Sequence, residues 1–334
     1  MAGRSLGKVL VTGADGFIGS HLVEGLLRRG EAVTALCLYN SNGHHGWLEP
    51  LAGQRPKDLR LVLGDVRDPF FVDELVRGHD TVLHLASLIA IPYSYDAPES
   101  YFATNQGGAL NVAKACLRHG VGRLVHTSTS EVYGTARTVP IAEDHPLQAQ
   151  SPYSASKIAA DAVIESFRRS FGLPAVTLRP FNTFGPRQSL RAVLPTVAAQ
   201  LLAGATSLKL GNLSPTRDFN YVSDTVDAFV AVGTAPDEKV LGEVFNTGTQ
   251  REISIRDAAL VIADVLGRAN VTFEGEEERK RPEKSEVERL LADSSKLRQI
   301  TGWTPRVDFP SGIAQLVEWM RGEKNLDRAL QYQK

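Results

Sequence analysis

A short apolar run, a glycine-rich turn and an amphipathic helix follow one another at the start of this chain, and this order constrains the fold most. Residues 8–11 read KVLV, and the turn at 12–19 reads TGADGFIG. Apolar residues then recur at helical spacing until Gly30 ends the pattern. A strand, a tight turn and a helix in this order are the context that a phosphate-binding turn requires.

This turn predicts a dinucleotide-binding site. Glycines allow a tight turn and a close approach of the backbone to a pyrophosphate, and the helix N-terminus offers unpaired N–H groups and the positive end of a dipole. A purely structural turn is the alternative. We expect the cofactor to be held by the turn and the first helical residues, which are Gly13, Gly16, Phe17, Ile18 and Gly19.

Short apolar strands alternate with helical segments through the first half of the chain. The predicted strands are 32–38, 59–63, 81–85, 123–126 and 175–178, and the predicted helices are 70–76, 100–117 and 153–171. This alternation predicts an α/β fold with a doubly wound parallel sheet of the Rossmann type. The rhythm breaks after Asn182. We therefore expect a Rossmann domain over 1–182 and a smaller, mainly substrate-binding lobe over 183–334, from which some segments return to the first domain.

Composition argues against several classes of function. The chain has 334 residues and a formal net charge of −1, so no basic field points to nucleic acid or to an anionic membrane surface. No apolar run is long enough to span a bilayer, and residues 1–7 are too short and polar for a signal peptide. Cys37 and Cys116 lie in apolar segments, which is typical of unpaired thiols in a reducing cytoplasm. The histidines show no spacing suited to a metal ion.

A Tyr and a Lys four residues apart form the first candidate catalytic pair. Ser151 and Pro152 make a favourable helix start, and Tyr153 and Lys157 then lie on one face of the predicted helix. A free tyrosine has a pKa of about 10, and a nearby ammonium together with a positive nicotinamide lowers it. We expect Tyr153 to take the proton of a sugar hydroxyl while hydride leaves for the cofactor. A chance pair on a surface helix is the alternative.

A carboxylate upstream of this pair predicts a second acid–base step. Residues 128–134 read STSEVYG and lie just after the strand predicted at 123–126. Glu131 in this segment is the candidate base for a step on the oxidised intermediate, and Thr129 and Ser130 precede it as further candidate catalytic residues. An exposed acid at a strand end is the alternative interpretation of Glu131.

Taken together, these motifs resemble the extended short-chain dehydrogenase/reductase family, also called the NAD-dependent epimerase/dehydratase family. The resemblance covers nearly the whole chain and rests on the turn at 12–19, GDV at 64–66, HLA at 84–86, Asn105, STSEVYG at 128–134, the Tyr153/Lys157 pair and RPFNTFGP at 179–186. It implies that the adenine lies near Asp65 and Val66. It implies further cofactor contacts at Leu85, Ala86, Ser87 and Pro180.

The same resemblance implies how a nucleotide sugar binds. Ser128 and Thr129 are expected to face the reacting sugar carbon. Asn182, Arg217 and Arg281 are expected to hold the diphosphate, because fixed guanidinium groups can bind phosphate in a bidentate way.

One departure concerns the choice of cofactor. Family members that use NAD often have an acidic residue at the end of the second strand, which binds the ribose hydroxyls, whereas residues 36–41 here read LCLYNS. That segment also has no arginine that could bind a 2′-phosphate. NAD is therefore the expected cofactor, and NADP stays open.

Glu131 narrows the reaction class within the family. The 4-epimerases generally lack a carboxylate at this position, whereas 4,6-dehydratases have a Glu, and UDP-glucuronate decarboxylases also have an SEVYG segment. The sequences at 88–95, 215–218 and 281–289 resemble NDP-N-acetylglucosamine 4,6-dehydratases of legionaminic-acid-type pathways. The resemblance implies an NDP-hexose 4,6-dehydratase. A decarboxylase or 4-epimerase on the same scaffold is the alternative, and a non-catalytic dinucleotide sensor is a remote one.

The resemblance also implies a homodimer that pairs through the helices at 100–117 and 153–171. The apolar residues of the second helix exceed what packing on one sheet face needs; they are Ile158, Val163, Ile164 and Phe167.

Overall fold

Residues 4–54, 56–276 and 285–322 are described by a computed structural model of the chain. The strands in this part are β1 (Lys8–Thr12), β2 (Ala32–Leu38), β3 (Leu59–Gly64), β4 (Thr81–His84), β5 (Arg123–Thr127), β6 (Ala175–Pro180), β7 (Asn182–Phe184), β8 (Ser207–Leu210), β9 (Thr216–Arg217), β10 (Phe219–Tyr221), β11 (Val244–Thr247), β12 (Ile253–Ser254), β13 (Thr272–Gly275) and β14 (Arg289–Leu290).

The α-helices in the same part are α1 (Phe17–Arg28), α2 (Glu49–Gln54), α3 (Pro69–Val76), α4 (Ile91–Asp96), α5 (Pro98–Tyr101), α6 (Gly108–Arg118), α7 (Pro152–Phe171), α8 (Val193–Leu202), α9 (Val222–Thr234), α10 (Asp237–Val240), α11 (Ile255–Val265), α12 (Ser295–Thr301) and α13 (Phe309–Arg321). Two short 3₁₀ turns occupy Gly46–Leu48 and Ser130–Tyr133, and a π-helical turn, Phe102–Gly107, joins α5 to α6.

Seven strands form one sheet in the order β11-β6-β5-β4-β1-β2-β3, and every neighbouring pair is parallel. The chain starts in the middle of the sheet at β1, builds to one edge through β2 and β3, and continues on the other side through β4, β5 and β6. Ligands of doubly wound folds bind where the direction changes, here between the carboxyl ends of β1 and β4. The predicted Rossmann-like α/β fold is confirmed.

Both faces of this sheet are covered, which explains why its strands read as nearly continuous apolar runs. Successive side chains of a strand point to opposite faces. Val9 and Val11 accordingly belong to a core formed with α1 and α9, whereas Leu10 belongs to a core formed with α3, α6 and α7. Burial on both sides fixes β1, and with it the position of the glycine-rich turn that follows.

A separate apolar core lies in the second half of the chain, where α8, α11 and α13 pack with β7, β8 and β10. Helix α13 contributes Ile313, Leu316 and Met320, which recur at helical spacing and are buried. Phe17, at the start of α1, packs against the edge of this core. The beginning of α1 therefore lies where the sheet meets the second core.

Cys37 and Cys116 are buried and unpaired. None of the helices in the described residues is long and apolar enough to cross a membrane. Within the same ranges, no cluster of three or more His, Cys, Asp or Glu side chains could hold a metal ion.

Candidate functional site

The glycine-rich turn lies against the carboxyl end of β4, and its glycines have different structural causes. Gly13 has φ +67°, and a Cβ there would lie 2.7 Å from Ala86 N. A Cβ on Gly19 would collide with the carbonyl oxygen of Gly13. Gly16, the exposed N-cap of α1, has no such constraint, because its nearest neighbour to an added Cβ is 3.4 Å away. The space over Gly16 suits the close approach of a pyrophosphate.

The segment after β4 lies over this turn. Thr12 Oγ1 accepts hydrogen bonds from Leu85 N and Ala86 N, both at 3.1 Å. These bonds hold residues 85–87 beside the turn, where the family resemblance implies residues that run along the cofactor.

Asn105 ties this segment to helix α7. It lies in the π-helical turn, where its Oδ1 accepts from Ser87 Oγ at 3.0 Å and from Leu88 N at 2.8 Å. Its Nδ2 donates to Ser156 Oγ at 2.9 Å. Single π-helical turns inside α-helices often occur at functional sites. Here the turn brings the buried amide of Asn105 into contact with residues 87–88 after β4 and with helix α7.

A carboxylate from another part of the chain lies beside the end of β2, and the sequence alone does not predict it. Asp15 belongs to the glycine-rich turn, and its Oδ2 accepts a hydrogen bond from Leu38 N at 3.1 Å. Its carboxylate therefore lies where the second strand lacks an acidic residue of its own. Asp65, at the end of β3, is paired with Arg67, and this hydrogen-bonded ion pair holds the pKa of Asp65 below its ordinary value. Val66 beside it is buried.

Helix α7 places Tyr153 and Lys157 against the end of β5. The helix starts as predicted, with Ser151 as N-cap accepting from Ser154 N at 3.1 Å. The hydroxyl of Tyr153 is hydrogen-bonded to the Thr129 side chain. The ammonium of Lys157 donates to the carbonyl oxygen that ends β5, at 2.6 Å. Tyrosine, lysine and strand end are thus held together by direct contacts.

Burial dominates the protonation of this pair. It raises the pKa of Tyr153 above its ordinary value, although the hydrogen bond to Thr129 lowers it. Burial also lowers the pKa of Lys157 to about 8, against the opposing charge of Asp161. In the chain by itself, burial therefore decides the direction of the tyrosine pKa shift. The lowering of the tyrosine pKa that we expect from the sequence includes the positive charge of a bound nicotinamide, so it stays a prediction.

Glu131 lies in the 3₁₀ turn Ser130–Tyr133, which follows the end of β5 after two residues. Thr129 is the N-cap of this turn, and its Oγ1 accepts from Glu131 N at 3.2 Å. The charge of Glu131 contributes to the raised pKa of Tyr153, so the two side chains interact across the site. Ser130 is buried, and Glu131 is half-buried rather than an exposed acid on the surface.

Ser128 does not face the reacting sugar carbon, contrary to the expectation. Its hydroxyl is buried and donates to Asp161 Oδ2 at 2.8 Å. Arg179 Nη2 lies 3.0 Å from the same oxygen, and His126 Nε2 lies 3.1 Å from Oδ1. Sequence reasoning missed Asp161, although it follows Lys157 at the same spacing of four residues that singled out the Tyr–Lys pair.

Two of the three predicted diphosphate-binding residues lie close together in the fold. Asn182 begins β7 and pairs with Phe219, two residues beyond Arg217. The Oδ1 atom of Asn182 is buried and has no hydrogen-bond partner among the described residues. Arg217 is buried, and its Nη2 lies 3.7 Å from Glu286 Oε1. Arg281 lies outside the described residues.

Pro180 ends β6 and is buried. Its strand neighbour Thr247 accepts a hydrogen bond from Phe181 N at 2.9 Å. The predicted cofactor contact at Pro180 thus falls at the same carboxyl edge of the sheet as the glycine-rich turn and residues 85–87.

Sequence comparison agrees with this architecture. A family model described as GDP-mannose 4,6 dehydratase matches residues 10–316. The chain belongs to this family of extended short-chain dehydrogenases/reductases. A UDP-glucose 4-epimerase of Mycolicibacterium smegmatis is 35% identical over 95% of this chain and 99% of that protein. A dTDP-glucose 4,6-dehydratase of Actinoplanes sp. is 33% identical, again over 95% of this chain and 99% of that protein.

Solved structures confirm the fold and the expected type of cofactor among relatives. A double mutant of the dTDP-glucose 4,6-dehydratase DesIV from Streptomyces venezuelae, solved with NAD and DAU bound, has a TM-score of 0.86 with this chain. The two are 28% identical over 97% of this chain and 99% of that one. Membership of an enzyme family of nucleotide-sugar dehydratases and epimerases is therefore established, and both reactions occur on the shared scaffold.

Proposed function

We propose that this protein is a NAD-dependent nucleotide-sugar 4,6-dehydratase, which converts an NDP-hexose into its 4-keto-6-deoxy derivative. The position of Glu131 carries the proposal. Its half-buried carboxylate follows Thr129, whose side chain is hydrogen-bonded to Tyr153, and its charge acts on that tyrosine. Epimerisation needs one acid–base group at the 4-hydroxyl, whereas dehydration needs a second base at C5. The site has both groups.

The residues around the turn fit the cofactor. The open space over Gly16 and the N-terminus of α1 suit the pyrophosphate, with Leu85, Ala86, Ser87 and Pro180 beside it. The carboxylate of Asp15, which lies beside the end of β2, supports NAD over NADP. An acid there can accept hydrogen bonds from the ribose hydroxyls and would repel a 2′-phosphate. Bound NAD supplies a hydride acceptor for sugar C4 and the hydride donor for C6, so it is not consumed.

The chain's own residues account for the proton transfers. Tyr153 takes the proton of the 4-hydroxyl, and the ammonium of Lys157 stabilises the phenolate that forms. The 4-ketone makes the C5 proton acidic, and Glu131 removes it. Water then leaves from C6, with its proton supplied by Glu131 or relayed through a bound water, since Ser130 is too weak an acid. A proton returned to C5 completes the loss of one water.

The substrate half of the proposal rests on the second lobe. We propose residues 1–182 as the cofactor domain and 183–334 as the mainly substrate-binding lobe, from which β11 returns to the sheet. The buried guanidinium of Arg217, the amide NH₂ group of the adjacent Asn182 and the predicted Arg281 are hydrogen-bond donors, and they support binding of a diphosphate. The resemblance of residues 88–95, 215–218 and 281–289 to legionaminic-acid-type dehydratases supports NDP-N-acetylglucosamine as the substrate.

A 4-epimerase is the second candidate, because the epimerase of Mycolicibacterium smegmatis is 35% identical to this chain. We rank an epimerase second, because epimerisation needs no base at C5 and so gives Glu131 no role in the reaction. A UDP-glucuronate decarboxylase is a further alternative. A non-catalytic sensor is disfavoured, because Tyr153 and Lys157 keep their contacts with the strand end.

Incubation with a panel of nucleotide sugars tests the proposal. We expect mass spectrometry to show loss of one water from an N-acetylglucosamine linked to UDP, GDP, dTDP or CDP. Loss of carbon dioxide from a uronic acid would identify a decarboxylase, and an unchanged mass with an inverted 4-hydroxyl would identify an epimerase. The Tyr153→Phe variant serves as the control for contaminating activity.

The structure modifies the basis of the proposed homodimer. Ile164 is buried in the chain's own core, Phe167 packs against the same core, and Ile158 packs against another. These residues are therefore used within the chain, contrary to the expectation of surplus apolar surface. Phe102 and Phe171, at the ends of the two predicted dimer helices, remain 39% and 59% exposed.

We expect the protein to sediment as a dimer at micromolar concentration, paired through α6, α7 and the turn before α6. Phe102→Glu should shift the equilibrium towards monomer, because it puts a charge into an apolar contact. Phe70→Glu is the matched control, since Phe70 is 85% exposed on α3 and lies outside these helices. A wild-type protein that is only monomeric, or equal effects of both variants, would contradict this interface.

A further inference from the structure

Three residues of α7 contact one short segment at the end of β5. Tyr153, Lys157 and Asp161 are spaced four apart and so lie on one face of the helix. The segment is 127–129, and each helix residue bonds a different member of it. The first two contacts belong to the proposed catalytic pair. The third has no role in the chemistry derived above.

The carboxylate of Asp161 joins two strands beneath the site. Its Oδ2 accepts from Ser128 Oγ at 2.8 Å and from Arg179 Nη2 at 3.0 Å, and His126 Nε2 lies 3.1 Å from Oδ1. These partners come from β5, the residue after it, and β6. All are at most 5% exposed. Both carboxylate oxygens are therefore engaged, and the position of Ser128 is fixed through its side chain.

Asp161 is ionised in this setting. Burial opposes its charge, but hydrogen bonds from His126 and Ser128 and the charge of Arg179 hold its pKa below its ordinary value. Burial lowers the pKa of His126, which is therefore neutral at neutral pH. The Asp161 carboxylate thus faces two buried cations, Arg179 and Lys157.

Two further titratable groups beside this cluster, His84 and Tyr133, are uncharged at neutral pH. Burial lowers the pKa of His84, which stacks on the His126 ring at 5.9 Å. Burial raises the pKa of Tyr133 to about 12, and its hydroxyl accepts from Arg179 at 2.9 Å. Asp161 is the negative charge that acts against burial on the ammonium of Lys157.

We propose that Asp161 is a positioning residue for the Tyr153–Lys157 pair: it fixes the 127–129 segment that both residues contact, and it keeps the buried ammonium of Lys157 charged. This role is the same for dehydration and epimerisation, because both reactions begin with proton removal by Tyr153. A merely structural Asp161 would affect stability without changing the titration of Lys157.

The titration of Lys157 tests this role without substrate or cofactor. Protein labelled with ¹³C at lysine Cε is titrated by NMR, and the Lys157 signal is identified by its loss in Lys157→Met. Removing the carboxylate in Asp161→Asn removes an attraction for the proton, so the titration midpoint should fall by about one pH unit or more. Ser128→Ala is the control, because it breaks one hydrogen bond and keeps the charge. An unchanged midpoint in Asp161→Asn overturns the proposal, whatever reaction the enzyme catalyses.

The pH dependence of turnover gives an independent readout once a substrate is known. In Asp161→Asn, Lys157 loses its proton at lower pH, so the alkaline limb of the kcat profile should move to lower pH. Misplacement of the pair should lower kcat by about 10²-fold with little change in KM. Asp161→Glu keeps the negative charge. The alkaline limb of its kcat profile should therefore stay at the wild-type pH, while kcat itself stays reduced. If Asp161→Asn does not fold, Asp161→Glu decides, since wild-type kcat or a loss confined to KM contradicts positioning.

Discussion

The Tyr153→Phe variant is expected to bind cofactor and substrate and yet form neither a 4-keto sugar nor NADH absorbance. The ring stays in place, because it is 7% exposed and packs edge-on against Tyr101 at 6.2 Å. Only the hydroxyl and its hydrogen bond to Thr129 are lost. Without a proton acceptor the 4-hydroxyl is not oxidised, and turnover should fall on the order of 10⁴-fold. Absorbance after mixing with substrate measures the first step directly.

Tyr101→Phe is the matched control for this variant. It removes a neighbouring hydroxyl, which donates to Ala90 O at 2.5 Å, and leaves Tyr153 in place. We expect its turnover to stay close to that of the wild type. NADH formation at wild-type rate in Tyr153→Phe would show that another group takes the hydroxyl proton.

The parts of the fold that the sequence predicts well are those set by local patterns. The second strand is predicted at 32–38 and is found at Ala32–Leu38, because an apolar run bounded by polar residues and buried on both faces has little freedom. The catalytic helix is predicted at 153–171 and begins one residue earlier, at Pro152. Its N-cap and the glycine after its last turn define both ends.

The helix predicted at 100–117 shows where periodicity stops being informative. The structure divides it into α5, a π-helical turn and α6. A π-helical turn adds residues to a helix without breaking the apolar pattern strongly, so spacing alone does not reveal it. The same turn holds Asn105, whose contacts with Ser87 and Ser156 depend on three separate elements.

The site is predictable where its residues are close in sequence and is missed where the sheet brings distant residues together. The Tyr153/Lys157 pair follows from one helix. The contact of Asp15 with Leu38 and that of Asp161 with Arg179 follow from strand order. The direction of the Ser128 side chain is predicted wrongly for a related reason. Successive side chains of extended backbone alternate in direction, so Ser128 and the residue after it do not share one face.

The Glu131→Gln variant is expected to stop after oxidation. The amide has nearly the same shape as the carboxylate, and the backbone bond from residue 131 to Thr129 is unaffected, so Tyr153 can still act. The C5 proton then has no base. Enzyme-bound NADH and a 4-keto sugar that keeps its 6-hydroxyl should accumulate, and turnover should fall on the order of 10²–10⁴-fold. Rapid-mixing absorbance and mass spectrometry of the quenched sugar measure the two species.

Exchange with solvent deuterium separates the role of Glu131 from a general loss of activity. The wild type in D₂O should put deuterium at C5 of the product, whereas Glu131→Gln should leave C5 unlabelled in the accumulated sugar. Glu165→Gln is the control, because Glu165 lies farther along α7 and is paired with Arg168 and Arg169. It should keep both the labelling and the turnover of the wild type.

The outcome for Glu131 decides between the two leading functions. A dehydratase loses C5 deprotonation with this carboxylate, while an epimerase does not use it. If Glu131→Gln still releases a 4-keto-6-deoxy sugar at nearly the wild-type rate, Glu131 is not the base, and the dehydratase proposal loses its main support. If the wild type instead inverts the 4-hydroxyl and Glu131→Gln does so equally fast, the site is that of an epimerase. Tyr153→Phe remains inactive in both cases, because either reaction begins with removal of the 4-hydroxyl proton.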